Sequence, residues 1–161
     1  MGSSMTIYVD TRQKNGKHAL KHRQLISMGY TLEPKVLKTG DYMLKGNDKI
    51  SIDTKQDLQE LSGNIFRDEG RFMREIRRAY EAKMKFIVLI EQGGSIKTID
   101  DVITWKPQYG KVPPRVLRDR MFKIHMAYGT EFLFCDKKNT GEYIAKLLSE
   151  GTKTDQQGVK K

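Results

Sequence analysis

The stretch TGDYMLKGNDKISIDTKQDL, Thr39 to Leu58, decides the fold. Gly40 marks a turn, YML re-enters an extended run, and KISIDTK alternates strictly between apolar and polar side chains. Strict alternation is the signature of a strand with two unlike faces. Ile50 and Ile52 therefore share one face, and Ser51, Asp53 and Lys55 share the other. Two strands joined by a turn form a hairpin, and a hairpin carries Asp41 alongside Asp53. The stretch thus predicts a strand pair that gathers two carboxylates beside one lysine.

Upstream, TIYVD (Thr6 to Asp10) reads as a short strand ending in an aspartate. Residues 17–28 have helical spacing in Leu20, Leu25 and Met28, and Gly29 stops the run. YTLEPKVL, residues 30–37, reads as extended because Pro34 opposes a helix. Downstream, FIVLI (Phe86 to Ile90) and TEFLFC (Thr130 to Cys135) are continuous apolar runs, the mark of strands buried on both faces. One long helix is predicted over residues 67–84, and a helix between two strands of one sheet favours a right-handed parallel crossover. Further helices are predicted over 114–128 and 140–149, the second opened by Asn139 as N-cap with Glu142 three residues on. Residues 93–114 read as a loop-rich insertion with one short helix near 99–105. The polar stretch 151–161 reads as a disordered tail, and Met1 to Ser4, ahead of Met5, as a cloning scar. The sum is one three-layer α/β domain over residues 5–150 with a central mixed sheet flanked by helices.

The 161 residues suffice for one domain with a single core. Lys and Arg number 30 against 20 Asp and Glu, a net charge of +10. That excess points to a polyanionic partner, nucleic acid or an anionic membrane surface. No apolar run approaches the roughly 20 residues of a spanning helix, no signal-peptide pattern opens the chain, and no Walker glycine loop is present. A single cysteine, Cys135, excludes an internal disulfide and fits a reducing compartment. It lies in an apolar run and reads as a small buried hydrophobe.

The carboxylates suggest chemistry. Asp10, Asp41 and Asp53 sit at strand ends or turns that a sheet can bring together. Three carboxylates repel one another unless a cation neutralises them, and carboxylate oxygens with water suit Mg²⁺ or Mn²⁺. A cation so held polarises a phosphate and lowers the pKa of a bound water. Lys55 would then stand beside the charge that develops on phosphorus. The layout is that of metal-dependent phosphodiester hydrolysis. Gly-Asp turns and Asp-x-Lys on exposed strands also occur without any such role.

At about 100° per residue, Arg67, Arg71, Arg74 and Arg78 fall in one narrow arc of the helix predicted over 67–84. Phe72, Ile76 and Tyr80 fall opposite and are predicted to face the core. An arginine stripe can track DNA phosphates; it can equally be a solvated face. Lys106, Lys111, Arg115, Arg118 and Arg120 form a second basic region, where Trp105 and Tyr109 could stack on unpaired bases. Trp105 reads equally well as a core anchor. His18 and His22, four apart on a helix, lack a third metal ligand and read as surface histidines.

Several segments together resemble one family. YVDTRQ, ISMGYTLEPKVLKTGDYML, SIDTKQDL, EGRF and KFIVLIE stand in the order and spacing of the XPF-type nuclease domain of the PD-(D/E)xK superfamily. The resemblance covers most of residues 7–91 and continues more weakly beyond. It implies a restriction-endonuclease-like core, metal binding by Asp10, Asp41 and Asp53, and catalytic roles for Asp10, Arg12, Asp41, Asp53 and Lys55. It also implies Mg²⁺ or Mn²⁺ as cofactor, and branched, flapped or partly single-stranded DNA as substrate. Arg71, within EGRF, is the leading DNA contact, beside Arg67, Arg74 and Arg78.

The sequence departs from the pattern in places. Asp53 stands for glutamate, Thr54 for arginine, and Gln13 where an acid is common. Asp57 stands two residues past Lys55, where the family places an aspartate four past, so it reads as a helix-start residue. The family's tandem helix-hairpin-helix domain is not in the sequence. The expectation is therefore a short stand-alone version, similar to phage or mobile-element proteins. It would act in the cytoplasm of a bacterium or phage-infected host and form a homodimer or heterodimer through the nuclease domain. Two alternatives stay open: a Holliday-junction resolvase or restriction-type enzyme of the same superfamily, and a catalytically inactive DNA-binding module or partner subunit.

Overall fold

A computed structural model describes residues 5–13 and 16–160, and beyond residue 150 the backbone alone. Residues 1–4, read as a cloning scar, lie outside the described residues. Six strands form one sheet in the order β2-β1-β3-β4-β5-β6. Strand β1 (Thr6–Asp10) pairs in parallel with β2 (Thr31–Lys35) and antiparallel with β3 (Tyr42–Leu44). β3 pairs antiparallel with β4 (Asn47–Lys55), which runs parallel to β5 (Lys85–Ile90) and, through it, to β6 (Glu131–Phe134). Every strand except β3 therefore points the same way, and the sheet is mixed, as the sequence predicts. Pro34 sits on edge strand β2, where its missing N–H disturbs no ladder.

FIVLI is continuously apolar because both its faces are covered. Phe86, Val88 and Ile90 join one core, with helices α2 (Leu58–Phe66), α3 (Glu69–Glu81) and α4 (Pro114–Tyr128). Ile87 and Leu89 join the other, with α1 (Ala19–Ser27) and α5 (Thr140–Lys160). Ile50 and Ile52 lie together in that second core, so the face assignment of β4 holds. Cys135 is buried there as well. Trp105 packs partly buried against the first core, just after a 3-10 turn over Asp100–Thr104.

The connection from β4 to β5 differs from the single helix predicted over 67–84. The chain forms two helices. Asp57 caps the first, its carboxylate accepting from Glu60 N at 2.8 Å. This is the helix-start role read from the sequence. Ser62 and Gly63 are weak helix formers, but Leu58, Leu61 and Ile65 keep helical spacing and are buried. Burial of that stripe outweighs local propensity. In α3 the buried face is Phe72, Ile76 and Ala79, and Tyr80 is not in the core. It is 56 % exposed, its ring edge-on to Tyr128 at 5.5 Å.

Other corrections are local. In α1, Leu25 is buried but Leu20 and Met28 are exposed, and Lys21 is buried in their stead. The reason is an ion pair, Lys21 Nζ to Glu91 Oε2 at 3.0 Å. Helix α5 does not open on the Asn139–Glu142 box. Asn139 ends a 3-10 turn over Lys137–Asn139 whose cap is Asp136, and Gln24 Oε1 of α1 accepts from Gly141 N at 2.8 Å. A side chain from another helix has taken the capping position. The backbone of α5 runs helical to Lys160, through most of the stretch read as a disordered tail. No proline interrupts it.

The turn ahead of β3 depends on Gly40, which has φ +79°. A Cβ there would stand 2.0 Å from Ser51 Oγ and 3.3 Å from the carbonyl of Ile52. Ser51 Oγ cannot swing away freely, because it is buried and donates to the Thr39 carbonyl at 2.8 Å. Gly46 has φ +91° but open space around it. Gly40→Ala is expected to cost about 2–3 kcal/mol and Gly46→Ala about 1 kcal/mol, read from urea unfolding. Equal costs at the two sites would show that the Ser51 contact does not constrain the turn.

Candidate active site at the carboxyl end of the sheet

Because β3 alone runs backwards, the residue before it lies at the same end of the sheet as the last residues of β1 and β4. That residue is Asp41. Its N–H donates to the Ile52 carbonyl at 2.8 Å, and its carbonyl accepts from Asp10 N at 2.9 Å. Asp10, Asp41, Asp53 and Lys55 thus gather where the parallel strands end, the usual place for a site in an α/β sheet. They line a cleft of about 460 Å³, with Arg71, Arg74 and Arg78 of α3 along its rim.

The carboxylates are held differently. Asp41 Oδ2 accepts from both the backbone N and the hydroxyl of Thr54, at 3.0 and 3.1 Å. Asp53 is 5 % exposed. Its Oδ2 lies 3.0 Å from Lys55 Nζ as an ion pair, yet makes no hydrogen bond of good geometry. Asp10 is engaged elsewhere: Arg12 Nε sits 3.0 Å from its Oδ2, and Leu37 N donates to its Oδ1 at 3.0 Å. The trio read from the sequence is therefore a pair, Asp41 and Asp53, with Asp10 clamped by Arg12 at the margin. Among the described residues, no three His, Cys, Asp or Glu side chains stand close enough together to hold a metal.

Electrostatics sharpen this arrangement. Burial, and then the Asp53 carboxylate, push the Asp41 pKa well above its ordinary value, against the Thr54 hydrogen bonds and Lys55. Burial opposes the charge on Lys55, but Asp53 outweighs it and holds the ammonium above its ordinary pKa. Lys55 is thus a fixed cation and no proton acceptor. Two enclosed carboxylates with too few protein donors suit a hard, oxygen-seeking cation. Asp41 and Asp53 are the residues that would hold it.

The sequence reading passed over Glu75. It lines the cleft from α3, and burial followed by Asp53 raises its pKa. The signal was present: an acid four residues after Arg71 and three before Arg78, inside the basic stripe. The stripe itself is shorter than predicted. Arg67 ends α2, does not line the cleft, and folds back over Gly63. In the second basic region, Arg118 is paired with Asp100 and Asp119, and Arg120 with Glu69. None of its five residues lines the cleft. His18 and His22 are not surface residues. They are half-buried, stacked at 6.0 Å, and bonded to Lys21 and Tyr42 respectively. No described helix is long and apolar enough to cross a membrane.

The ERCC4 domain family matches residues 9–147. The chain belongs to the ERCC4 domain family. Its fold is similar to that of XPF from Aeropyrum pernix, at 23 % identity and a TM-score of 0.68, over 95 % of this chain and 69 % of that one. It is similar also to XPF from Aeropyrum pernix in complex with DNA, at 24 % identity and a TM-score of 0.69, over 93 % and 66 %. The ERCC4 domain described here thus spans about two thirds of those XPF chains. No curated protein matches the sequence. The restriction-endonuclease-like three-layer core read from the sequence is the core observed.

A raised carboxylate pKa in this ERCC4 domain has a signed consequence. Folding favours neutral Asp41, so its contribution is full below the unfolded pKa, near 4, and is lost as pH rises through the raised folded value. Asp41→Asn removes the charge and keeps an acceptor for Thr54. It is expected to be more stable than the parent by about 1–2 kcal/mol at pH 8, with the gap closing toward pH 4, in urea unfolding at both pH values. A gap independent of pH would show that Asp41 is not held neutral by the fold.

Proposed function

We propose that this chain is a divalent-metal-dependent DNA endonuclease that hydrolyses phosphodiester bonds in branched or partly single-stranded DNA. The observation that carries this reading is the pairing of Asp41 and Asp53 with Lys55 at the floor of an arginine-rimmed cleft in an ERCC4 domain. Asp41 and Asp53 would hold Mg²⁺ or Mn²⁺. When bound, the cation supplies Lewis-acid stabilisation of the charge that builds on phosphate. The Lys55 ammonium faces the same charge from the protein side. Arg71, Arg74 and Arg78 hold the flanking phosphates in register. Arg12 orients Asp10, whose freed carboxylate would be a further oxygen ligand. Water adds across one P–O bond, leaving a phosphate monoester on one fragment and a hydroxyl on the other.

The solved XPF complex contains DNA, and a net charge of +10 suits the same partner here. A second reading rests on one observation. The Asp10 carboxylate is already occupied by Arg12 and Leu37, as in a DNA-binding module or partner subunit without a working site. Labelled flap, fork, junction and duplex DNA, each with Mg²⁺, Mn²⁺ or EDTA, separate the two. Cleavage of a branched substrate is expected, lost in EDTA and reduced about 10²–10³-fold by Lys55→Ala and by Asp41→Asn, with binding retained. Binding of all four DNAs without cleavage would select the module instead. Preference for junctions would select the resolvase alternative, and preference for plain duplex the restriction-type one.

Pairing with a second copy or a related subunit belongs to the same proposal. Helix α4 leaves Phe122 50 % and Met126 68 % exposed, one turn apart. Phe122→Glu with Met126→Glu is expected to convert a dimer to a monomer in sedimentation. A sedimentation profile unchanged by the pair of substitutions would move the interface off this helix.

A further inference from the structure

A hollow of about 390 Å³ lies across the first turn of α2 from the cleft. Gln56 and Glu60 line the cleft, while Asp57 and Gln59 line the hollow. Its other walls are Gly93, Gly94 and Ser95, which follow β5, and Trp105, Lys106 and Gln108, which follow the 3-10 turn. Both cavities stand at the carboxyl end of the sheet, and the catalytic residues account for the first alone.

The chemistry of its walls suits an anion. Gly94 is left-handed at φ +81°, and among the described residues the N–H groups of Gly93, Gly94 and Ser95 meet no protein acceptor. Successive N–H groups of this kind in a turn form an anion-binding nest. Gln92 Oε1 accepts from Leu58 N at 2.9 Å, which leaves its amino group as a further donor. Asp57 is the one acid among the lining residues, and its carboxylate is engaged by Glu60 N at 2.8 Å. Behind Gly93, Asp136 is engaged in the same way by Lys138 N at 2.9 Å. Lys106 supplies a cation, and the segment from Trp105 to Arg115 carries three cations and no acid. Among the described residues Lys106, Lys111 and Arg115 make no ion pair, unlike Arg118 and Arg120. An aromatic ring stands next to this charge. Trp105 anchors the segment in the first core, and Gln59 Nε2 donates to the Tyr109 carbonyl at 3.1 Å, so the Tyr109 backbone is tied to α2. The Tyr109 side chain is 65 % exposed. Phosphate donors beside a ring open to stacking suit an unpaired strand, whose bases are free to stack, better than a duplex, whose bases are already stacked.

We propose that this hollow and the Tyr109 segment hold the unpaired strand of branched DNA where it leaves the cleft, with a phosphate at Gly93 to Ser95 and Lys106 and a base on Tyr109. The inference rests on the DNA reading above and deepens it. A helix is about 10–12 Å across, so a strand crossing α2 reaches the hollow within a few nucleotides. The subsite would add affinity only for DNA with an unpaired arm, and so would favour branched over plain duplex substrates.

The test uses forks whose unpaired arm grows from blunt to about ten nucleotides. They are titrated with the full chain in EDTA, where a metal-dependent enzyme does not cut, and binding is read from fluorescence anisotropy. Affinity is expected to rise with arm length and then level off. Lys106→Ala with Tyr109→Ala, both exposed residues, is expected to remove about tenfold of that gain while blunt duplex binding stays within about twofold. Lys49→Ala, at the far end of β4 from the cleft, is expected to change neither. A neutral methylphosphonate moved along the arm is expected to weaken binding of the parent at one position, and to have no effect there on Lys106→Ala. An arm that adds no affinity, or a gain that survives the paired substitution, would overturn the subsite and leave the DNA reading intact. Equal loss on blunt and armed DNA would overturn it too, in favour of general charge attraction. Failure to bind any DNA would overturn both.

Discussion

The main chain of Asp41 is the joint on which the rest of the structure turns. Its N–H reaches the Ile52 carbonyl on β4, and its carbonyl receives Asp10 N from the end of β1. One residue therefore sets the register of three strands. A slip of one residue would turn every side chain of a strand to the opposite face. Asp53 would leave the cleft and Ile52 would leave its core. Ser51 and Gly40 guard that register, since the space a Cβ would need at Gly40 belongs to the Ser51 hydroxyl.

That register carries an electrostatic cost. Asp41 and Asp53 face each other in an enclosed space, and Glu75 adds a third acid from α3. Lys55 compensates one charge through its ion pair with Asp53, and Thr54 gives Asp41 two hydrogen bonds. The remaining imbalance is what an arriving cation would relieve. A fold that holds the Asp41 carboxyl at a raised pKa beside Asp53, with a basic rim next to them, gives up some of its own stability at this strand end. The second buried pair, Lys21 with Glu91, has a different use. It ties α1 to β5 and determines which nitrogen of His18 carries the proton.

Much of this was legible in the sequence, and the misses share causes. FIVLI and KISIDTK identify themselves because apolar period reports how many faces are covered, and the sheet covers both faces of β5. The helix over 114–128 was legible to the residue, since Pro114 opens it and Gly129 closes it in the left-handed region at φ 70°. The break between α2 and α3 was not, because polar residues around Arg67 continue the helical pattern and only packing decides where bonding stops. With the break, Arg67 left the stripe and Arg71, Arg74 and Arg78 stayed. Tyr80 lost its core place to Ala79, since a one-residue rotation of α3 chooses between them. The start of α5 was misread because its cap, Gln24, comes from a helix 117 residues earlier in the chain.

By itself the sequence determined the elements that depend on local chemistry: strands from alternation, helix ends from proline and glycine, a basic character from composition, and the order of motifs that marks an ERCC4 domain. It named Asp41, Asp53 and Lys55 because alternation places residues 53 and 55 on one face and a hairpin returns residue 41 beside them. Only the tertiary structure decided which partners those groups meet. It put Asp10 on Arg12, Glu75 in the same cleft as Asp53 and within reach of its charge, and His18 on a lysine that is buried only because Glu91 neutralises it. Such contacts join residues far apart in the chain, and their energies arise from burial and from neighbouring charge, neither of which a residue carries until the fold has formed.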